Sequence, residues 1–127
     1  MEKTTKRKLL FIGDSITDVG RNRNNPDSLG KGYVALIAKA LADRDDSERY
    51  QLINRGISGN RILDIAERWH ADCVSLEPDV VTLLIGINDT WHNVGDEAVN
   101  RRPTISTGSY YFSFRVTTVK LPTFFIS

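Results

Sequence analysis

The eight residues Asp79-Val80-Val81-Thr82-Leu83-Leu84-Ile85-Gly86 constrain the fold more than any other stretch of the chain. They run from a charged residue to a glycine and are almost continuously apolar and β-branched between. A run without polar alternation is what a strand needs when both of its faces are covered, as in a parallel sheet. Such a strand requires further strands beside it and helices on either side. The rest of the chain carries patterns for both. Lys8-Leu9-Leu10-Phe11-Ile12-Gly13 is a short apolar run ended by glycine, and Tyr50-Gln51-Leu52-Ile53-Asn54 is another. Asn22 to Gly32, rich in Asn, Gly, Pro, Asp and Ser, reads as a loop. From Tyr33, the residues Val34, Ile37, Ala38 and Leu41 recur at helical spacing and end in Asp43-Arg44-Asp45-Asp46. A second helix from about Arg61 places Ile62, Ile65, Ala66, Trp69, Cys73 and Leu76 on one face, and Glu77-Pro78 stops it.

The order strand, helix, strand, helix, strand predicts an α/β fold, a parallel sheet with helices on both sides. In such sheets functional groups collect at the carboxyl ends of the strands. All three ends carry distinctive polar segments: Gly13-Asp14-Ser15, Gly56-Ile57-Ser58-Gly59-Asn60 and Gly86-Ile87-Asn88-Asp89. Ser15 is a candidate nucleophile, which needs a base for its proton and donors for an oxyanion. Gly59 has no side chain to keep its N–H away from a ligand, and Asn88 brings a neutral amide donor. Ser15 N–H, Gly59 N–H and the Asn88 side chain thus make a candidate three-donor oxyanion hole. Taken singly, each residue has another reading: Ser15 as a helix cap, Gly59 as a turn, Asn88 bonded to its own backbone.

The segment Phe11-Ile12-Gly13-Asp14-Ser15-Ile16-Thr17-Asp18 resembles the Gly-Asp-Ser block of the SGNH (GDSL-type) hydrolases. Ile57-Ser58-Gly59-Asn60 resembles their second block, and Gly86-Ile87-Asn88-Asp89 their Gly-x-Asn-Asp block. The longer strings around these blocks look most like bacterial carbohydrate-acetyl esterases, and the resemblance covers about residues 8–93. It implies a flavodoxin-like three-layer parallel sheet and an ester hydrolase that removes acetyl or short acyl groups from a carbohydrate or small ester. It also implies an acyl-enzyme at Ser15, oxyanion donors at Ser15 N–H, Gly59 and Asn88, Asp14 as the residue that fixes the nucleophile loop, and no cofactor or metal.

The family's general base is a histidine in an Asp-x-x-His block near the C-terminus, beyond two further strands. The histidines here are His70 and His92, and no acidic residue follows position 97. His70 lies next to the apolar face of the second helix and reads as a surface or packing residue. Asp89-Thr90-Trp91-His92 spells Asp-x-x-His literally, yet Asp89 belongs to the Gly-x-Asn-Asp block, upstream of the family's catalytic block, so His92 is set aside as the base. A serine without its base is a poor nucleophile, and loss of a triad member costs up to ~10⁶ in turnover in a well-studied serine hydrolase. The expectation is an impaired esterase or, as the alternative, a catalytically inactive fragment of one. A small binding or receiver domain of the same fold is a third reading, against which the Gly59 and Asn88 blocks argue.

Composition breaks where the resemblance ends. Residues 1–100 carry a net charge of −3, whereas residues 101–127 carry +4 with no acid, nine Ser/Thr and six of the eleven aromatics. The expectation is that 1–100 form the N-terminal part of a hydrolase domain with three of the family's strands, the C-terminal strands missing. Residues 101–127 are expected to be an unrelated tail, from a frameshift or premature end. Val80–Ile85 is then an apolar sheet edge, which the β-prone stretch Tyr110–Val119 is able to cover. The overall charge of +1 gives no reason to expect nucleic-acid binding, and no apolar run approaches the ~20 residues of a membrane span. The apolar stretch after the basic start is too short for a signal-peptide core, and the lone Cys73 fits a reducing cytoplasm.

Overall fold

The structure, a computed structural model, describes residues 6–91 and 115–120. Its strands are β1 (Arg7–Gly13), β2 (Tyr50–Gly56), β3 (Val80–Ile85) and β4 (Arg115–Lys120). Its α-helices are α1 (Ser15–Asp18), α2 (Tyr33–Asp43), α3 (Ile62–Asp72) and α4 (Ile87–Trp91). The strands form one sheet in the order β2-β1-β3-β4. β1 lies in the middle and pairs in parallel with β2 (Leu9 opposite Leu52, Gly13 opposite Gly56) and with β3 (Leu9 opposite Val80, Gly13 opposite Leu84). The chain moves from β1 outward to β2, then back across to β3. Right-handed crossovers in opposite directions put α2 and α3 on opposite faces.

The packing follows that rule. Leu10, Ile12, Ile53, Val81 and Ile85 form one core with Ile65 and Cys73, and Trp69 of α3 packs against it. Phe11, on the other side of β1, meets Tyr33 of α2 edge to face at 6.0 Å. The expected three-layer α/β arrangement is therefore present, with both faces of β1 covered. Cys73 is fully buried in the α3 layer, and burial pushes its thiol up to about 11.

Several boundaries differ from expectation, each for a local reason. β2 runs on to Gly56, because Arg55 and Gly56 pair with Ile12 and Gly13. α3 ends at Asp72, not at Glu77-Pro78; a 3-10 turn at Val74–Leu76 follows, and Glu77 adopts a left-handed conformation (φ 52°) that redirects the chain into β3. The buried stripe of α3 is narrower than predicted, since Ile62 is 48% exposed and Ala66 is exposed as well. The first turn of α3 sits over the strand-end loops, where the Ile62 N–H bonds the Asp89 carboxylate at 3.0 Å. Two segments expected as loops close into short helices, α1 and α4.

β4 covers the free side of β3. It pairs antiparallel to it, with Val116 opposite Leu84 and Val119 opposite Val81. Part of the β-prone tail segment therefore does join the sheet, so the apolar strand β3 is not an edge. Tyr110–Phe114 lie outside the described residues. No helix among the described residues is long and apolar enough to cross a membrane.

Candidate active site

Asp14 converts the end of β1 into α1. Its Oδ1 accepts the Ile16 N–H at 3.0 Å, and its carbonyl accepts the N–H groups of Thr17 (3.1 Å) and Asp18 (2.9 Å). Asp14, not Ser15, is thus the cap, and Ser15 is the first helical residue, half-buried. Its N–H, like every first N–H of a helix, has no acceptor within the helix. Asp14 is fully buried, and its Oδ2 has no hydrogen-bond partner among the described residues. Burial raises its carboxyl above the usual range and the charge of Asp89 adds to this, against the lowering effect of the Ile16 N–H.

The short helix is seated on the end of β2. A Cβ on Gly56 would lie 2.6 Å from Asp18 N and 2.7 Å from the Thr17 backbone carbon, so only glycine lets α1 approach this closely. Asn54, fully buried, donates from Nδ2 to the carbonyls of Thr17 (2.8 Å) and Leu29 (2.9 Å), and its Oδ1 accepts the Gly56 N–H (2.9 Å). The Thr17 and Tyr33 hydroxyls share a 2.8 Å hydrogen bond, which ties α1 to α2.

Asp18 fastens α1 to the second loop. Its Oδ2 accepts the Ser58 N–H at 2.8 Å and Arg23 Nη2 at 2.5 Å, while Oδ1 accepts Arg21 Nε at 3.3 Å. Burial alone would raise this carboxyl, but the Arg23 and Ser58 bonds and the charges of Arg23 and Arg21 outweigh it and hold it low. Arg21 also donates to the Gly56 carbonyl. The loop itself begins with the Ile57 N–H bonded to the Gly13 carbonyl at 2.9 Å. It then turns through a bond from Asn60 N–H to the Ile57 carbonyl at 3.2 Å. Gly59 occupies the third position of that turn with φ 87°, where a residue with a side chain is strained. A Cβ there would meet nothing within 4 Å among the described residues. The turn therefore requires glycine for its backbone angle, and Gly59 is exposed.

The third segment docks on the second. Asn88 Nδ2 donates to the Asn60 carbonyl at 3.0 Å, so its amide bonds another loop's backbone and not its own. Asp89 Oδ2 accepts the Ile62 N–H, and burial raises its carboxyl above the usual range despite that bond. The structure thus gathers Asp14, Ser15, Gly59 and Asn88 at the carboxyl edge of β1, β2 and β3, through hydrogen bonds that join the three segments. It does not bring His70 there, because that residue is exposed on α3. His92 lies outside the described residues.

Asn54 and Arg68, whose guanidinium bonds the Gly13 and Arg55 carbonyls, escaped sequence reading, and Asp18 stood out only as part of the first motif. Asn54 had a signal, a carboxamide closing the apolar run Leu52-Ile53. Arg68 had only its place between Ile65 and Trp69 on the apolar side of α3. Among the described residues no group of three or more His, Cys, Asp or Glu is arranged to hold a metal ion.

The profile of the GDSL-like Lipase/Acylhydrolase family matches residues 11–117. The chain belongs to this family. One relative, an acetylxylan esterase of Geobacillus stearothermophilus, is 46% identical over 88 residues, which are 66% of this chain and 40% of that protein. The crystal structure of a catalytic mutant of Axe2 (S15A), an acetylxylan esterase from the same organism, superposes with a TM-score of 0.65 at 41% identity, covering 73% of this chain and 44% of that one. LAE5, an alpha/beta hydrolase enzyme from the metagenome of Lake Arreo, Spain, gives a TM-score of 0.67 at 38% identity, covering 83% and 50%. This GDSL-like chain spans about two-fifths of the length of the curated relative it matches.

Proposed function

We propose that the chain carries the acyl-binding half of a serine ester hydrolase, with Ser15 as nucleophile and an acetylated carbohydrate or small acetyl ester as substrate. The observation that carries this reading is the convergence of the three strand-end segments, linked from Ile57 N–H to the Gly13 carbonyl and from the Asn88 amide to the Asn60 carbonyl. It is supported by the acetylxylan esterases among the relatives, and by the catalytic mutant of Axe2, whose change is S15A. In this reading Ser15 Oγ attacks the ester carbon, and the hydroxyl proton passes to a base. The carbonyl oxygen takes up the negative charge between Ser15 N–H, Gly59 N–H and Asn88 Nδ2. The alcohol leaves with a proton, and water then releases the acid from the acyl-enzyme.

The base is the open role. Within the 127 residues the histidine nearest the three segments in sequence is His92, and Asp89, which the literal Asp-x-x-His would need as its orienting partner, bonds the Ile62 N–H. The second reading, an inactive remnant that binds an acyl group and barely turns it over, is favoured by the exposure of His70 on α3, facing solvent. We further propose that residues 1–100 are the N-terminal part of the hydrolase domain and that, although the family match runs on to residue 117, the acid-free 101–127 are a segment of different origin. Sequencing the coding DNA tests this: an alternative frame near codon 100 that continues into an Asp-x-x-His block supports it, and its absence overturns it.

The deciding assay is hydrolysis of an aryl acetate by the purified chain beside Ser15→Ala and His92→Ala. A rate above that of Ser15→Ala is expected for an esterase, and equality of the two rates refutes it. Abolition of a real rate by His92→Ala assigns the base to His92.

A further inference from the structure

Arg68 sits in the middle of α3, with its side chain only 14% exposed, beneath the loops that form the site. A buried guanidinium gains little from a single acid partner, because its desolvation offsets the attraction. Its pairing with Asp72 (Nη1 to Oδ2, 2.9 Å) therefore leaves its burial unexplained. The other bonds explain it. Nη2 donates to the Gly13 carbonyl at 3.1 Å, Nη1 to the Arg55 carbonyl at 2.7 Å, and Nε to Asn60 Oδ1 at 2.8 Å. One planar group thus bonds the end of β1 just before Asp14-Ser15, the end of β2, and the loop that carries Gly59. The third segment joins through Asn60, whose carbonyl accepts the Asn88 amide at 3.0 Å.

We propose that Arg68 is a positioning residue that sets the orientation of the Asn88 carboxamide, acting through Asn60. The inference rests on the hydrolase reading above for its catalytic consequence, though not for its geometry. A carboxamide is planar, so holding one Nδ2 hydrogen on the Asn60 carbonyl fixes the direction of the other. A donor aimed in advance at the developing oxyanion stabilises it without reorganisation, whereas a swivelling one does not. Lysine cannot replace arginine here, because one ammonium lacks the planar fork that reaches three carbonyl-type acceptors and a carboxylate together.

The test uses the full chain labelled with ¹⁵N, in wild-type form and as Arg68→Lys, Asn60→Ala and Asn60→Asp, with Asn88→Ala to assign the side-chain signal. Thermal melts identify the folded variants. In wild type the two Asn88 amide protons are expected to be well separated, one bonded and one free. In Arg68→Lys and Asn60→Ala they converge, and their exchange with water rises at least about tenfold. Asn60→Asp, whose carboxylate still accepts from Arg68, keeps the wild-type signal. Unchanged Asn88 protons in a folded Arg68→Lys or Asn60→Ala overturn the proposal. In the aryl acetate assay Arg68→Lys lowers kcat about ten- to a hundredfold with KM little changed. Adding it to Asn88→Ala costs nothing further, and additive losses refute the relay. If wild type equals Ser15→Ala, the hydrolase reading fails, and the Asn88 spectra decide the positioning by themselves.

Discussion

At Asn54 three hydrogen bonds converge on one fully buried carboxamide, and each reaches a backbone group that shapes the site. Replacing it by leucine would leave two carbonyls and one N–H without their partner in a dry interior. Asn54→Leu is expected to lose about 3 kcal/mol of stability, read from urea unfolding, despite leucine's greater apolarity. Asp18 makes a pH-dependent contribution. Its carboxyl is held below its ordinary value, so the stability it adds is present above the unfolded pKa of about 4 and is lost as pH falls through the lower folded value. Asp18→Asn should therefore cost about 2 kcal/mol at pH 7 and progressively less toward pH 3, measured by urea unfolding across that range. Asp14, whose carboxyl is raised, has the opposite sign: its contribution is present at low pH and fades as pH rises through its folded value. The placement of Ser15, Gly59 and Asn88 at the strand ends was legible because each belongs to a polar segment that follows an apolar run. Asn54 also closes an apolar run, but its role and that of Arg68 were not legible, because both are defined by carbonyls that are distant in sequence.

Among the elements, the three parallel strands and two long helices were readable from periodicity, since burial on two faces or one imposes different patterns. The short helices α1 and α4 were not, as four or five residues carry no periodic signal. For α1 the cause is Asp14, whose side chain and carbonyl together hold the first turn. The exposed Ile62 has a similar origin: helical spacing predicts a stripe, but not where the sheet beneath it ends. β4 has a measurable role. It occupies the β3 edge over six residue pairs, from Val80–Lys120 to Ile85–Arg115. Proline at both Thr117 and Thr118 would remove ladder donors and expose an apolar strand. That double variant is expected to aggregate at concentrations where wild type stays monodisperse, as followed by light scattering.

At the scale of the whole molecule, Ser15, Gly59 and Asn88 gather on one edge, and no described histidine stands beside Ser15. Under the proposed hydrolase reading, a small base from solution should therefore supply part of the proton transfer. Imidazole at high concentration is expected to raise aryl acetate hydrolysis by the wild-type chain above that by Ser15→Ala, with the difference saturating in ester. Equal curves for the two proteins would mean that the acyl site is not competent.

The sequence by itself determined the α/β class, the strand-end location of the polar motifs and the family, because burial patterns and turn chemistry are local properties of the chain. It also located the break in composition near residue 100, with −3 on one side and +4 on the other. Only the tertiary structure decided that Asn88 is held by Asn60, that Arg68 links the ends of β1 and β2 to that loop, and that β4 closes the open side of β3. Those are contacts between residues far apart in the chain, and their partners are mostly backbone carbonyls, which every residue possesses and no sequence pattern marks.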